Sequence, residues 1–301
     1  MKVDRTLYSD TKEIVLCPPK YLSTDIANNK WMQDMTEEDR KINSEKAMFQ
    51  FWNMYSKFAQ YAWVWLLPPK QGFQDQTYVT NAAVVLPHNN KVVLANFKAQ
   101  GRAGEELEVQ KFLEMLGYQT FKCPYHFEGE AELKWLYNNI YIGGYGIRTD
   151  LQALEWIEQQ FDCKIIKVEE TDEYLYHLDC SVFPINHEYC IIGNVDQKVI
   201  REVKKYTKPI VIREKDILYA GITNSVRFGY TIFNASHIQE CLPGSEDYQI
   251  EAAKNKKLID IATSLGLDVR FCNLSEMLKS GALMSCCVLH LKHDYIQISL
   301  G

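Results

Sequence analysis

Apolar positions recur along the chain at two periods, and the periods alternate in a fixed order. Residues three and four apart mark amphipathic helices around Glu45 to Tyr61, Glu105 to Leu116, Asp150 to Phe161, Asp196 to Tyr206 and Glu251 to Leu265. In the third helix Leu151, Leu154, Ile157 and Phe161 share one face, and Asp150 stands where an N-cap belongs. Gly117 and Gly266 supply stop signals for the second and fifth helices. A short strand-like run follows each helix: WVWLL, YQTFKC, CKIIKVEE, PIVIRE and LDVRFC.

Longer segments with hairpin character precede four of these helices: YVTNAAVVLPHNNKVVLAN, LKWLYNNIYIGG, LYHLDCSVFPINHEYCIIG and DILYAGITNSVRFGYTIFN. The repeated unit is therefore strand, strand, helix, strand. Asn81, Glu128, His177 and Asn224 hold similar places in successive units, 47, 49 and 47 residues apart, and Cys286 falls in the fifth. The first strand, EIVLCPP, precedes a helix without its own hairpin, and the last hairpin, CCVLHLKHDYIQISL, has no helix. The two ends complete one another, which predicts a closed five-fold α/β propeller of ββαβ units rather than an open solenoid.

Composition adds bounds to this picture. With 301 residues, 47% hydrophobic and 24% charged, the chain is expected to bury a large core as one domain spanning 1–301. The formal charge of -6 and the lack of any basic run argue against nucleic acid and against an anionic membrane surface. The most apolar window, Ala62 to Leu67, ends at Pro68-Pro69 and is too short to span a bilayer. MKVDRTLYSDTKEIVLCPP lacks the apolar core of a secretory signal, so the expected location is the cytoplasm. Nine scattered cysteines without C-x-x-C spacing suit neither a disulfide framework nor a zinc site.

Each polar candidate has a plain structural alternative. Cys286 and Cys287 suit a core strand, His177 a satisfied core position, Glu128 a surface turn, Arg102 and Arg148 a solvated face, and Asn29 and Asn81 turns. His177 and Asp179 are two apart in YLYHLDCSVF, which on a strand puts both on one face. Together the set has a chemical logic. A thiol needs a neighbouring cation or base to become thiolate, and a cationic electrophile supplies part of that stabilisation itself. A guanidinium is such a cation, and its forked N–H groups match paired carboxylates such as Asp179 and Glu128. His177 then serves to move protons, and the two arginines to hold a carboxylate at the far end of the substrate.

Assembled in order, FEGEAEL, YGIRTD, YHLDC and the glycine-led turn into Cys286 resemble the guanidino-group-modifying (pentein) superfamily, in its amidinohydrolase/amidinotransferase family. The likeness runs from about Val15 to Leu291. CPPKYLSTDIANNKWM, YVTNAAVV and LSEMLKSGALMSCCVLHL bring it nearest to the arginine dihydrolase branch. The resemblance implies Cys286 as nucleophile, His177 as general acid and base, and Asp179 and Glu128 as guanidinium clamps. It implies substrate contacts from Asn29, Asn81, Arg102, Arg148 and, more weakly, Asn224.

It further implies a Cys-dependent hydrolase of arginine or a related guanidino compound, with no metal and no cofactor. A dihydrolase would yield ornithine, carbon dioxide and ammonia, and a deiminase citrulline and ammonia. The alternatives are an amidinotransferase, a dimethylarginine dimethylaminohydrolase and, from another class, a non-catalytic binding module such as the ribosome anti-association factor of this fold. The expected partner is a small guanidino molecule, and a homo-oligomer is compatible with the sequence. Two departures stand out: Glu132 where the family carries an aspartate, and Gly281-Ala282 where it carries a glycine pair.

Overall fold

The computed structural model describes residue 6, residues 10–213 and residues 218–298. Glu214, Asp216, Ile217, Ser299 and Leu300, which fall in the strand-like and hairpin segments read from the sequence, lie outside the described residues. The strands are β1 (Lys12–Leu16), β2 (Ala62–Leu66), β3 (Ala83–Leu86), β4 (Lys91–Leu94), β5 (Gln119–Lys122), β6 (Leu133–Tyr137), β7 (Ile140–Tyr145) and β8 (Lys164–Glu169). They continue with β9 (Val182–Pro184), β10 (Tyr189–Gly193), β11 (Lys208–Ile212), β12 (Ser225–Phe228), β13 (Thr231–Ala235), β14 (Asp268–Cys272) and β15 (Leu289–Lys292).

Among the described residues these form five three-stranded sheets, with orders β3-β4-β5, β6-β7-β8, β9-β10-β11, β12-β13-β14 and β15-β1-β2. In every sheet the first two strands pair antiparallel and the third lies parallel to the second. A parallel pair needs a crossover, and a helix intervenes at that point in each unit. The repeat read from the sequence is thus present, and β15 joins β1 so that the two ends of the chain share one sheet. Over its described residues CCVLHLKHDYIQISL does not itself form a hairpin. It supplies the single strand β15, and β1 acts as the hairpin's second arm.

The helices follow their apolar stripes. In Ser44–Phe58 the buried residues Ala47, Phe51, Met54 and Phe58 recur at intervals of four and three, and Phe58 meets Phe228 and Phe233 edge-on. The Asn43 side chain accepts the Lys46 N–H at 3.0 Å and fixes where that helix begins. In Leu151–Phe161 the buried face is Ala153, Leu154, Ile157 and Phe161, so Leu151 sits at its margin. Asp150 holds the N-cap position without capping. Its carboxylate accepts instead from the His126 N–H at 3.2 Å, tying the helix start to the segment before Glu128. Glu105–Met115, Gln197–Val203, Leu218–Thr223 and Glu246–Ser264 complete the longer helices, and no described helix is long and apolar enough to cross a membrane.

The stretches just ahead of the hairpins decide where chemistry can gather. They are short 3-10 turns, Val79–Asn81, Gly129–Ala131, Leu178–Cys180 and Ser285–Cys287, rather than strand extensions. His177 and Asp179 therefore do not share a strand face: His177 precedes a tight turn and Asp179 lies within it. Cys286 and Cys287 likewise lie in a turn, so strand alternation does not separate them. Asn224 stands immediately before β12, after the helix Leu218–Thr223, and not in the hairpin turn at Gly229-Tyr230.

Candidate active site

Close packing of two turns opens the site. Gly129 has φ +63°, and a Cβ there would lie 2.5 Å from the Thr80 carbonyl oxygen and 2.7 Å from the Asn81 carbonyl. Only glycine lets the two turns touch, which explains the glycine of FEGEAEL. The contact brings Asn81 and Glu128 to the same place, and the next turn delivers His177 there. His177 Nε2 lies 2.8 Å from Glu128 Oε2, and the Asn81 side-chain amide lies 3.4 Å and 3.5 Å from the two ring nitrogens.

Glu128 is fully buried and shared. Arg148 Nη1 lies 3.3 Å from each of its oxygens, while Arg148 Nη2 donates to the Asn28 carbonyl at 2.8 Å. Burial opposes ionisation of Glu128, yet Arg148, then His177 and Arg102, hold its carboxyl well below the usual carboxylate range. Tyr176 lies with its ring 4.9 Å from the Arg148 guanidinium carbon, and its hydroxyl donates to the Gly281 carbonyl at 3.0 Å.

The second group surrounds the thiol. Cys286 is 6% exposed, and its Sγ lies 3.5 Å from Asp179 Oδ2. Ser285 donates its hydroxyl to the same oxygen at 2.6 Å. Asn224 bridges the turn: Oδ1 accepts the Ser285 N–H at 2.8 Å, and Nδ2 donates to the Cys286 sulfur at 3.3 Å. Burial first, then the Asp179 carboxylate, pushes the Cys286 thiol up to about 12. Cys287 points elsewhere, its sulfur 3.5 Å from the Leu283 carbonyl oxygen among apolar side chains.

A narrow cleft of about 310 Å³, its solvent-open mouth included, connects the two groups. Six of the nine candidate residues line it: Asn29, Asn81, Arg102, Arg148, His177 and Cys286. Glu128 and Asp179 do not line it and each stands one hydrogen bond behind, on His177 and on Cys286. Asn224 also stands behind the thiol. Asn29 and Arg102 are held by the protein itself. Asn29 Oδ1 caps the helix Lys30–Asp34 through the Met32 N–H at 2.8 Å, and its amide donates to the Ser280 carbonyl at 2.9 Å. Arg102 grips Glu105 Oε2 from Nη2 at 2.7 Å and from Nε at 3.1 Å, and Nη2 also donates to the Asp75 and Tyr78 carbonyls.

Sequence reasoning missed Asn28, Asp75, Tyr78 and Tyr176, which also line the cavity. Asp75 accepts from Asn28 at 2.6 Å, and burial raises its carboxyl against the pull of Arg102. A polar run in front of YVTNAA, Gln74-Asp75-Gln76, was the available signal. Glu132 is not in the cavity. Its Oε2 accepts the Leu178 N–H at 3.1 Å, so the longer side chain props the turn that carries His177 and Asp179. Ala282 lines the cavity directly, and Gly281, at φ +78°, makes the close turn against Asn29 and Tyr176. Among the described residues no group of three His, Cys, Asp or Glu is placed to hold a metal ion.

Comparison with known proteins places this geometry in context. The family model described as eukaryotic N,N dimethylarginine dimethylhydrolase matches residues 18–224. That stretch contains eight of the nine candidate residues and stops short of Cys286. The bifunctional arginine dihydrolase/ornithine cyclodeaminase ArgZ of Synechocystis is 26% identical over 296 residues, covering 94% of this chain and 38% of that protein. The chain thus spans well under half the length of this curated relative. The N(G),N(G)-dimethylarginine dimethylaminohydrolase of Mycobacterium tuberculosis is 24% identical over 285 residues, covering 93% of this chain and 86% of that protein. Among solved structures, the product-bound N-terminal domain of ArgZ, an arginine dihydrolase from cyanobacteria, superposes with a TM-score of 0.79 at 24% identity, covering 96% of this chain and 100% of that one. A dimethylarginine dimethylaminohydrolase adduct with 4-chloro-2-hydroxymethylpyridine gives 0.67 at 17% identity, covering 93% and 99%. The mixed α/β fold is therefore shared with both.

Proposed function

The chain belongs to the family described as eukaryotic N,N dimethylarginine dimethylhydrolase, within the pentein superfamily, and on that footing we propose that it hydrolyses the guanidinium group of arginine or a related guanidino compound through a covalent intermediate on Cys286. The observation that carries this reading is the pairing of a buried thiol on Asp179 with an imidazole on Glu128, facing one cavity from two different turns. We read the five sheets as blades of a closed propeller, with the pre-strand turns converging on its axis. The sheet shared by the two ends of the chain supports this.

In the proposed reaction a guanidinium enters beside Asp179 and its positive charge offsets the carboxylate that holds Cys286 as a thiol. The Cys286 proton passes to His177 and the sulfur attacks the guanidinium carbon, forming a C–S bond. The C–N bond to the departing nitrogen breaks as that nitrogen takes a proton from His177, whose imidazolium Glu128 stabilises. Water then loses a proton to His177 and attacks the same carbon, and the thiolate leaves. One such round converts arginine to citrulline and ammonia. A second round on the ureido group gives ornithine, carbon dioxide and a second ammonia, the outcome suggested by the name of the ArgZ relative. The matched family model favours a second reading, in which the leaving group is a methylamine from a methylated arginine.

Product analysis tests these readings. The protein is incubated with arginine, agmatine and methylarginines in turn, with ammonia, methylamines, citrulline and ornithine quantified, and the acid-quenched protein examined by mass spectrometry. Product release without an added amine, together with an adduct on Cys286, is expected. Turnover only with an added amine acceptor would make it an amidinotransferase. Full turnover by Cys286→Ala on every substrate would end the proposal.

A further inference from the structure

A second cavity meets the first back to back at the Ser285–Cys287 turn. Ser285 lines it, whereas the adjacent Cys286 lines the cleft already described. Its volume is about 710 Å³ including its solvent-open mouth, and Lys12, Lys134, Arg227, His290 and His293 face it with only two acids, Glu130 and Asp294.

Both acids are already committed. Glu130 accepts the His290 backbone N–H at 2.8 Å and binds that residue's ring nitrogen. Asp294 accepts from Arg227 Nη2 at 2.7 Å and from the Gly229 N–H. Lys12 donates to the Arg227 carbonyl, a neutral partner. Lys134 is less committed: it is 8% exposed, and among the described residues it makes no hydrogen bond and no ion pair, although its charge acts on Glu130 at longer range. An ammonium with no contacting carboxylate is free to anchor an incoming anion.

We propose that this rear cavity is a binding site for a small oxyanion, a phosphate or a carboxylate, seated on Lys134 beside Lys12, Arg227 and the paired histidines. Burial lowers Lys12 to about 8, with Asp294 opposing and Arg227 adding to the effect, and burial then His290 and Lys12 lower His293 well below the usual imidazole range. His290 and His293 stack at 5.2 Å between centroids on the wall of this cavity. The position has a consequence for the front cleft. Lys134 is one of the groups that draw the Cys286 thiol downward, so an anion that neutralises it leaves the sulfur more firmly protonated. The site is an inhibitory effector site by this logic, a step that rests on the proposed role of Cys286, whereas binding itself does not.

The test titrates the full chain with inorganic phosphate, and separately with acetate, at constant ionic strength balanced by chloride, and follows the melting temperature. A saturable rise with either anion in the wild type, weakened about tenfold or more in Lys134→Met and retained in Lys134→Arg, supports the site. The anion that saturates identifies its chemistry. A rise that never saturates or is equal in wild type and Lys134→Met, or no rise with either anion, overturns it. Should Lys134→Met not fold, Lys12→Met takes its place, with 31P line broadening of phosphate as the readout. Iodoacetamide labelling of Cys286 reads the coupling: labelling that slows several-fold with anion in the wild type alone supports it, and equal slowing in the Lys134 variant overturns it. If anion binding saturates but no guanidino substrate is turned over, the rear site stands and the proposed function falls.

Discussion

The Cys286 thiol donates to Asp179 Oδ2 at 3.5 Å, and the carboxylate favours the protonated, unreactive form of the sulfur. Burial and the carboxylate act in the same direction, up to about 12. A cation between them reverses the second effect, which ties reactivity to occupancy by a positively charged ligand.

Replacing Asp179 by Asn removes that negative charge while keeping the shape. Iodoacetamide labelling of Cys286, followed against pH, is expected to shift to lower pH in Asp179→Asn. On the proposed mechanism, guanidino turnover in the same variant should fall by about a hundredfold or more, because the group proposed to receive the substrate's charge is gone. Faster labelling with unimpaired turnover would separate Asp179 from the chemistry.

The two adjacent thiols should behave differently. Cys286→Ser is expected to lose turnover and keep the melting temperature close to wild type. Cys287→Ala should keep turnover within a few-fold and lose about 1–2 kcal/mol of stability in urea unfolding, as its sulfur packs in a closed apolar cluster.

Beneath the His177 turn, Glu132 and Glu170 form a buried acid pair, and among the described residues neither oxygen of Glu170 has a hydrogen-bond donor other than this neighbouring acid when one of the two is protonated. Burial, then Glu132, raises the Glu170 carboxyl well above the usual range. Its folded value exceeds its unfolded one, so the stability linked to its proton is complete below the ordinary carboxylate pKa and is lost as pH rises through the folded value. Glu170→Gln, the isostere of the protonated acid, should flatten that decline in unfolding free energy measured from acid to alkaline pH. Gly144→Ala places a Cβ 2.6 Å from Glu132 Oε2 and 2.7 Å from Glu170 Oε1 and should cost about 2–3 kcal/mol.

Acid stability should depend on Glu130. Burial opposes its ionisation, but His290 and then Lys134 win and bring it down to about 2. The folded value is below the unfolded one, so its contribution is present above about pH 4.3 and lost as pH falls toward 2. Unfolding free energy across that interval should drop by about 3 kcal/mol, a drop that Glu130→Gln lacks, the variant being the less stable near neutrality. Equal acid profiles would remove Glu130 from the balance.

The repeat and most of the site's membership could be read from the chain alone. Helix stripes and strand runs depend on neighbours a few residues away, and the spacing of Asn81, Glu128, His177 and Asn224 reflects one unit copied along the chain. The sequence also marked Glu128, His177, Asp179 and Cys286 as a set, because a thiol, an imidazole and two carboxylates are the residue types that guanidinium chemistry requires. Local pattern failed where a tight turn replaced a strand, as at His177 and Asp179, since a few residues of either look alike.

Tertiary packing decided the rest. Which sulfur meets Asp179, that Arg148 folds back onto Glu128, and that Glu132 supports a turn and lies outside the cavity are relations between segments distant in the sequence. No stretch of sequence encodes such distances by itself. They arise when glycines such as Gly129 let two backbones approach within contact, and burial then forces each polar group to find, or to lack, a partner.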